Sequence, residues 1–492
     1  MKSVLFAAAE FSPFVKAGGL GDVVGALPYA LRKKGADARV IMPYYAFLPS
    51  GFTSGFRFVK EIYVNLGWRK LYCGLFKTEY NGLPMYFIDN KDYFGGCKLY
   101  YEMESDIERF SFFCAAVLNA LPHMDFKPDV IHCHDWHTSM LPILYHAHFR
   151  MVKFYGGLKF VFTVHNLKYQ GMCNKYKLYD ILGINDGYSV APDLALGFDA
   201  ANCMKGGIFL SDAVTTVSET YAREICDPYY GEGLDWLLRW RGKDLIGIVN
   251  GIDAGQYDPS TDKAIARNYD AKTAPQAKKL NKLSLQAELS LTAGADRPVI
   301  AMITRLVDQK GLDLVMCVFD EIVGGGAAAQ GKRPQFVLLG NGDAKYEEFF
   351  RIKERRYPGD VAARIKFDEA LARRIYAGAD FFLMPSLFEP CGISQLIAMR
   401  YGTLPIVRET GGLSDTVLSY NEQTGEGNGY SFKNINAHDM LYTIGRAVSI
   451  YRGDPAAHAK IVAAAMAGDY SWDESAAKYI ALYERLAPGE TA

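Results

Sequence analysis

The sequence lacks the cysteine pattern of a disulfide-bonded or zinc-binding protein. The 492 residues include nine cysteines, an odd number, and no two of them are spaced as Cys-x-x-Cys. They are scattered at positions 73, 97, 114, 133, 173, 203, 226, 317 and 391. This pattern argues against a disulfide framework or a cysteine zinc site and is typical of reduced thiols. We therefore expect an intracellular, cytoplasmic protein.

Long apolar runs and an excess of charge of one sign are also absent. The opening MKSVLFAAAEFSPF is interrupted by Glu10 and is too short for a signal peptide, and no window approaches the ~20 apolar residues of a membrane span. The 54 Lys and Arg residues nearly balance the 55 Asp and Glu residues, for a formal charge of −1. We therefore expect neither a nucleic acid nor a membrane as partner, whereas a small charged ligand remains open.

Strand-like runs alternate with helix-like segments in both halves of the chain. The strand-like runs are SVLFAAAE, ARVIMP, PMYFID, DVIHCH, KFVFTVH and DAVTTVS, and later PVIAMIT, QFVLLG, ARIKF, DFFLMP and TLPIVRE. Such alternation favours parallel sheets covered by helices, and the length exceeds what one core usually organises. The sequence thus predicts an α/β protein of two doubly wound domains, with ligands bound beyond the carboxyl ends of the strands, in the cleft between them.

We predict an N-terminal domain over 1–252 and a C-terminal domain over 253–470. The remaining segment, 471–492, is predicted to be a C-terminal helix that is able to pack back on the N-terminal domain. Within the domains, periodic patterns predict helices over 23–33, 312–323 and 413–423.

The stretch VKAGGLGDVVG, residues 15–25, follows the first strand and precedes a helix. Backbone N–H groups at such a helix start are suited to an anion, with Lys16, Gly18 and Gly19 as candidates. A dinucleotide fingerprint fails because Val24 stands where a third glycine is expected, and a Walker loop fails because no Gly-Lys-Ser/Thr follows. A tight turn with a solvated lysine remains the structural alternative.

A second cationic loop follows the strand PVIAMIT. Arg305 and Lys310 flank a turn that opens a helix, and two cations placed in this way are suited to bind a diphosphate. Solvated surface cations are the alternative for this pair.

Glu389 follows the strand DFFLMP, and Pro390 favours an extended conformation for it. A carboxylate beside an anion site needs another role, and hydrogen bonding to sugar hydroxyls is one; a capping or surface glutamate is the alternative. The turn Gly392, Ile393, Ser394 opens a helix suited to a phosphate or ribose. Cys391 is interpreted as a packed thiol, because no base partner can be named for it.

Histidines cluster at the end of the strand DVIHCH, in HCHDWH, and His165 and Asn166 end the strand KFVFTVH. Successive strand residues point to opposite faces, so Cys133 does not share the face of His132 and His134. Because no second cluster of ligands has the spacing of a zinc site either, we expect no bound metal. Asp135, Trp136 and His137 suit a carbohydrate, with an aromatic platform for a sugar face. A core aromatic is the alternative interpretation of Trp136.

Eight motifs, in order, resemble the family of bacterial glycogen synthases and plant starch synthases. They are KAGGLGDVVGALP, HDWH, TVHNLKYQG, SDAVTTVSETYAREI, GIVNGID, RLVDQKGLDLV, LGNGD and SLFEPCGISQ. The resemblance implies a GT-B fold, with two Rossmann-like domains facing each other across a deep cleft. It also implies retaining transfer of glucose from a nucleotide sugar, usually ADP-glucose, to the non-reducing 4-hydroxyl of an α-1,4-glucan, with no metal and no cofactor.

The resemblance also implies roles for individual residues. His165, Arg305, Lys310, Glu389 and Asp135 correspond to catalytic positions. The matching donor-binding positions are Lys16, Gly18, Gly19, Asn250, Cys391, Gly392, Ile393 and Ser394. Acceptor contacts are expected at Trp136, His137 and Asn166.

Some positions depart from related patterns. The wider retaining group often has a second glutamate eight residues after the first, where this chain has Ile397, which argues against a double-acid mechanism. UDP-glucose in place of ADP-glucose, or another acceptor, stays open as an alternative. A nicotinamide oxidoreductase is disfavoured by Val24, and a non-catalytic glucan-binding protein is disfavoured by the intact set of Arg305, Lys310 and Glu389.

Overall fold

The computed structural model describes residues 2–324 and 333–488. Its contacts divide the chain into two compact units, which we call unit 1 (Met1–Asn250 with Trp472–Ala492) and unit 2 (Gly251–Ser471). Each unit has its own hydrophobic core. Among the described residues, no helix is both long enough and apolar enough to span a membrane.

Unit 1 is built around a nine-stranded sheet and a small three-stranded one. Its strands are β1 (Ser3–Ala7), β2 (Asp37–Pro43), β3 (Arg57–Leu66), β4 (Arg69–Tyr80), β5 (Leu83–Asp89), β6 (Val130–His134), β7 (Lys159–Val164), β8 (Met172–Asn174), β9 (Ala195–Leu196), β10 (Ala200–Asn202), β11 (Ala213–Thr216) and β12 (Leu245–Gly247). The large sheet has the order β12-β11-β7-β6-β1-β2-β5-β4-β3, and the small one β8-β10-β9. From β12 to β5 the large sheet is parallel.

Helices connect these strands. They are α1 (Gly19–Lys33), α2 (Ser50–Thr53), α3 (Lys91–Phe94), α4 (Met103–Ala120), α5 (Met140–Leu144), α6 (Lys175–Leu182), α7 (Ala191–Leu194), α8 (Cys203–Leu210), α9 (Glu219–Glu224) and α10 (Asp235–Arg241).

Unit 2 has a six-stranded parallel sheet with the order β15-β14-β13-β16-β17-β18. Its strands are β13 (Val299–Ile303), β14 (Gln335–Leu339), β15 (Val361–Arg364), β16 (Phe381–Met384), β17 (Leu404–Arg408) and β18 (Tyr430–Phe432). Its helices are α11 (Ala274–Glu288), α12 (Leu312–Gly324), α13 (Ala344–Arg356), α14 (Glu369–Gly378), α15 (Ser394–Arg400), α16 (Gly411–Thr416), α17 (Ala437–Gly453) and α18 (Pro455–Ala467).

The last helix, α19 (Asp473–Leu486), belongs to unit 1. Its buried residues Ala476, Tyr479 and Tyr483 join the core of that unit. The hydroxyl of Tyr483 lies 2.8 Å from Nδ1 of His132 on β6. The end of the chain therefore helps to build the sheet layer that carries the histidine cluster.

The strand orders define a switch point in each sheet. In unit 1 the order reverses beside β1, which lies between β2 and β6, and in unit 2 it reverses beside β13, which lies between β14 and β16. Open α/β sheets bind ligands beyond the carboxyl ends of the strands at such a point. The loops that follow β1, β6, β13 and β16 are therefore where a site is expected, and they contain most of the candidate residues.

Several local predictions were wrong in extent. Helix α1 begins at Gly19, four residues before the predicted start, and the edge formed by β3, β4 and β5 is antiparallel. Helix α16 ends at Thr416, because the next residues pair with another segment: the Leu418 N–H donates to the side chain of Asn428 at 2.7 Å.

Strand β15 covers Val361–Arg364, whereas the predicted run was 363–367. The chain leaves the sheet early because Asp368 caps α14, accepting the Leu371 N–H at 2.9 Å. Phe367 is consequently placed in a loop and is 81% exposed.

Candidate active site

A buried glutamate holds the glycine loop of unit 1. Glu10, which follows β1, is only 4% exposed. Its carboxylate accepts the N–H groups of Ala17 at 2.7 Å and Gly18 at 3.3 Å, and the hydroxyl of Tyr100 donates to it at 2.6 Å. Burial raises the pKa of Glu10. This anchor was not predicted from the sequence, although Glu10 is the residue that interrupts the first apolar run.

The anchor changes how the glycine loop can bind an anion. The Gly18 N–H, predicted to face a ligand, is engaged by Glu10. Lys16 is exposed and forms an ion pair with Asp22 at 2.7 Å. An anion at this loop would therefore have Lys16 and the helix start at Gly19 as its partners.

Asp135 lies in a strained turn after β6. Its φ of 54° and ψ of −177° fall in a region that only glycine adopts easily, so the surrounding structure must hold it there. Its carboxylate accepts the N–H groups of His165 at 2.7 Å and Asn166 at 3.4 Å, which ties the loop after β6 to the loop after β7. Burial raises the pKa of Asp135 to about 7. The site therefore has a carboxyl group that titrates near neutrality.

His165 is 9% exposed, and burial lowers its pKa to about 3. Its Nε2 lies 2.9 Å from Nδ1 of His134, a fully buried residue at the end of β6. In the part of the chain that the structure describes, no group of three or more His, Cys, Asp or Glu side chains is arranged to hold a metal ion. The histidines instead form hydrogen bonds with each other and with the neighbouring strands.

The burial of Trp136 favours the alternative interpretation, a core aromatic, over an aromatic platform for a sugar face. Trp136 is only 4% exposed and packs edge-on against Phe110 and close to His137. Its ring thus has no free face and serves as a core aromatic. His137 is also buried, stacks on Tyr100 at 4.9 Å, and has a pKa that burial lowers to about 3.

Three residues near the same edge remain available to a ligand. Asn166 is partly exposed, and Tyr169, three residues later, is 50% exposed and was missed by the sequence analysis. The Asn166 carbonyl accepts the Tyr169 N–H at 3.3 Å, so the two share one turn. Asn250 is buried, and its Oδ1 has no hydrogen-bond partner among the described residues. Because a buried oxygen normally accepts a hydrogen bond, Oδ1 of Asn250 is a candidate acceptor for a ligand hydroxyl.

In unit 2, Arg305 is exposed on the loop after β13. The residues of LGNGD support this loop: the Leu306 N–H donates to the Asn341 carbonyl at 2.9 Å, and the Asp343 N–H donates to the Leu306 carbonyl at 2.7 Å. A side chain at Gly340 would place its Cβ 1.8 Å from the Thr304 carbonyl oxygen. This glycine is therefore required for the close approach of the two loops.

Lys310 and Glu389 form a direct ion pair at 2.6 Å, and the hydroxyl of Ser386 donates to the same carboxylate oxygen at 2.9 Å. Their side chains are 16% and 9% exposed. Gly311, with φ of 67°, follows Lys310, and a Cβ there would lie 2.0 Å from the Pro385 carbonyl oxygen. The loops after β13 and β16 thus pack directly against each other, which brings together two residues that are 79 positions apart.

Further buried groups fix the Glu389 loop. Arg408 donates to the carbonyls of Ser386 and Leu387, and Gln309 donates to that of Phe388 at 3.2 Å. The residues that follow Glu389 lead into α15: Cys391 is buried, and Gly392, Ile393 and Ser394 are partly exposed. Phe367 lies in the loop after β15, at the carboxyl edge of the same sheet. It too was missed, because the predicted strand included it.

Family models and relatives of known name match almost the whole chain. The family model described as starch synthase catalytic domain matches residues 3–240, and the model for glycosyl transferases group 1 matches residues 289–455. A glycogen synthase from Geobacillus thermodenitrificans is 50% identical over 98% of this chain and 97% of its own. One from Lachnospira eligens is 48% identical over 99% of this chain and 100% of its own.

Solved structures confirm the predicted α/β GT-B fold. The catalytic domain of starch synthase IV from Arabidopsis thaliana, bound to ADP and acarbose, has a TM-score of 0.89 at 35% identity and covers 99% of both chains. Sucrose-phosphate synthase from Thermosynechococcus elongatus, at 17% identity and a TM-score of 0.61 over 99% of both chains, shares the fold. The chain belongs to the glycogen synthase and starch synthase family of glycosyltransferases.

Proposed function

We propose that the chain transfers glucose with retention from ADP-glucose to the non-reducing 4-hydroxyl of an α-1,4-glucan. The observation that carries the proposal is the Lys310–Glu389 pair at the switch point of unit 2, beside the exposed Arg305. The related starch synthase IV, which was solved with ADP, supports adenosine as the nucleoside. We propose the cytoplasm as the location, supported by the nine free thiols, all of them within the described residues.

Arg305 and Lys310 are proposed to bind the donor diphosphate. A guanidinium matches two phosphate oxygens at once, and an ammonium adds a point charge. Charge accumulates on the diphosphate as the bond to glucose breaks, so these cations stabilise the transition state more than the bound donor. Lys16 and the N–H of Gly19 are the proposed contribution of unit 1 to donor binding, and the Gly392 to Ser394 turn, after the packed Cys391, is that of unit 2.

Phe367 is proposed to carry the nucleotide base. At 81% exposure the ring of Phe367 is accessible for stacking, and a nucleotide base offers a flat face to stack on it. Its position after β15 is on the edge of the sheet that also carries Arg305 and Glu389. The stacking would account for a preference between nucleosides.

Sugar contacts are proposed for Glu389, Asn250, His165 and Asp135. The Glu389 carboxylate retains acceptor capacity beyond Lys310 and Ser386, and the buried Oδ1 of Asn250 is an acceptor without a described partner. His165 is neutral near pH 7, so its ring offers a hydrogen bond without a charge. For the acceptor glucan, Asn166 and the exposed Tyr169 replace the buried Trp136 in our proposal, and His137 supports the turn from beneath.

Retention is proposed to follow from attack on the face that the diphosphate leaves. Neither candidate carboxylate is free to act as a nucleophile, because Glu389 is paired with Lys310, and Asp135 accepts two backbone N–H groups. In this scheme the leaving diphosphate accepts the proton of the attacking hydroxyl. Mass spectrometry of the enzyme after rapid quenching should find no glucosyl adduct, and a stable adduct on any side chain would contradict the scheme.

The main experiment measures incorporation of labelled glucose into glycogen from ADP-glucose and from UDP-glucose. We expect incorporation from ADP-glucose, with the higher kcat/KM. Lys310→Met should lower kcat on the order of a hundredfold, as loss of one transition-state contact does. Lys345→Met is the matched control, because Lys345 is also paired with a carboxylate in unit 2, that of Asp313, but at an exposed position. Absence of incorporation from both sugar nucleotides would refute the proposed function.

A double variant separates two roles of Lys310. If the lysine only neutralises Glu389, then Lys310→Met combined with Glu389→Gln should recover the rate that Lys310→Met loses. If it stabilises the leaving diphosphate, the double variant should be at least as slow as the lysine variant alone. We expect the second result.

A further inference from the structure

His134 and His165 share one hydrogen bond deep in unit 1. His134 ends β6 and His165 follows β7, its neighbour in the sheet. Nδ1 of His134 lies 2.9 Å from Nε2 of His165, and the residues are 0% and 9% exposed. The His134 backbone is also fixed, since its N–H donates to Oγ1 of Thr138 at 2.6 Å. The contact therefore joins two rings whose positions leave little freedom.

A hydrogen bond between two neutral imidazoles couples their tautomers. Burial lowers the pKa of both rings, so each carries a single ring proton at neutral pH. Either His134 donates from Nδ1, or His165 donates from Nε2. The first arrangement leaves the proton of His165 on Nδ1, and the second leaves Nδ1 as a bare acceptor.

The surroundings of His134 favour the first arrangement. Its ring lies against the rings of Phe6, at 5.4 Å and 19°, and of His132, at 4.3 Å and 30°. Its Nε2 is buried and has no hydrogen-bond partner within residues 2–324 and 333–488. In the second arrangement Nε2 of His134 would carry a proton that has no acceptor. A buried N–H group without an acceptor is rarer in proteins than a buried acceptor without a donor. The proton of His134 is therefore placed on Nδ1.

We propose that His134 is a positioning residue that donates its Nδ1–H to His165 and so fixes His165 in the Nδ1–H tautomer. His165 then presents a hydrogen-bond donor to the sugar and not a base. This inference depends on the proposed function only in taking the sugar as the ligand of His165. It also agrees with a reaction in which the leaving diphosphate accepts the proton of the attacking hydroxyl, because His165 in this tautomer does not compete for it.

The tautomer is measurable without any substrate. Nitrogen NMR of the full-length protein with ¹⁵N-labelled histidine distinguishes protonated from bare ring nitrogens, and single substitutions assign the signals. At pH 7 we expect a protonated Nδ1 and a bare Nε2 for His165, and a protonated Nδ1 for His134. A protonated Nε2 on His165 would overturn the inference, whatever the activity of the enzyme.

Variants test the functional consequence. His134→Leu removes the donor and should lower kcat/KM for the sugar nucleotide about tenfold, the value of one hydrogen bond. His134→Asn carries an amide N–H near the position of Nδ1 and should recover most of that loss. His132→Asn is the matched control, since His132 is equally buried and stacks on His134 but hydrogen-bonds to Thr163 and Tyr483.

The outcomes are separable. If the two His134 variants unfold at the same urea concentration and lose activity equally, the role is structural and the inference fails. It also fails if His132→Asn, at matched stability, lowers kcat/KM as much as His134→Leu does. Wild-type protein that transfers no glucose would count against the proposed function instead, and the NMR measurement would still decide the tautomer.

Discussion

Replacing Asp135 by asparagine should make the protein more stable at alkaline pH and less active. In the unfolded chain this carboxyl group loses its proton near its ordinary pKa of 3.8, whereas burial raises the pKa in the folded chain to about 7. Between these values the folded state binds more protons than the unfolded state. The contribution of Asp135 to stability is therefore complete below about pH 4 and is lost as the pH rises through 7.

The size of the effect follows from the shift. About three pKa units at 1.36 kcal/mol each give roughly 4 kcal/mol of unfolding free energy. Asparagine has nearly the same shape as aspartate, keeps an oxygen that accepts the N–H groups of His165 and Asn166, and has no carboxyl proton to lose. The unfolding free energy of the variant should thus exceed that of wild type only slightly near pH 4.5. The excess should approach roughly 4 kcal/mol by pH 8.5.

Urea unfolding followed by tryptophan fluorescence is the suitable assay. All five tryptophans, at positions 68, 136, 236, 240 and 472, belong to unit 1, so their emission reports on the unit that contains Asp135. Thr138→Val is the matched control: it removes a buried hydroxyl that accepts the His134 N–H, and it has no titrating group. The difference in unfolding free energy between Thr138→Val and wild type should be the same at every pH. If the gain in unfolding free energy of Asp135→Asn over wild type does not grow with pH, the pKa of Asp135 is not raised in the folded protein.

Three other substitutions test separate parts of the site. Glu10→Ala removes the acceptor of the Ala17 and Gly18 N–H groups and should raise the donor KM more than Glu10→Gln does; equal KM values would show that the anchor does not matter. Phe367→Ala should raise the KM for ADP-glucose about tenfold with little change in kcat, because one stacking contact is lost. An unchanged KM would show that the base does not stack on Phe367. Tyr169→Ala should raise the KM for glycogen and leave that for ADP-glucose unchanged, and the reverse pattern would assign Tyr169 to the donor.

The strand pattern predicted where the candidate residues would lie. Asp135, His165, Lys310 and Glu389 each follow a strand of a parallel sheet, and the structure brings them to the carboxyl edges in two contacting pairs. This could be predicted because hydrophobic runs mark buried parallel strands and chain order then orients their ends. The functional roles of these residues remain predictions.

Features that depend on distant contacts could not be predicted. The burial of Trp136 depends on Phe110, which lies 26 positions earlier on another element, and sequence spacing does not reveal this packing. Similarly, the Tyr100 hydroxyl reaches Glu10 across 90 positions. One signal was present: a glutamate that ends a buried strand is costly to bury, so it must have hydrogen-bond donors nearby.

Sugar nucleotides whose glucose carries ¹³C at C1, as ADP-glucose and as UDP-glucose, give the decisive test of the proposed transfer reaction. After incubation with the wild-type protein and a glucan, the carbon spectrum of the polymer identifies both the linkage and the anomeric configuration. We expect a new α-1,4-linked C1 signal that forms faster from ADP-glucose than from UDP-glucose. A β-linked product, or labelled free glucose without any labelled polymer, would contradict it.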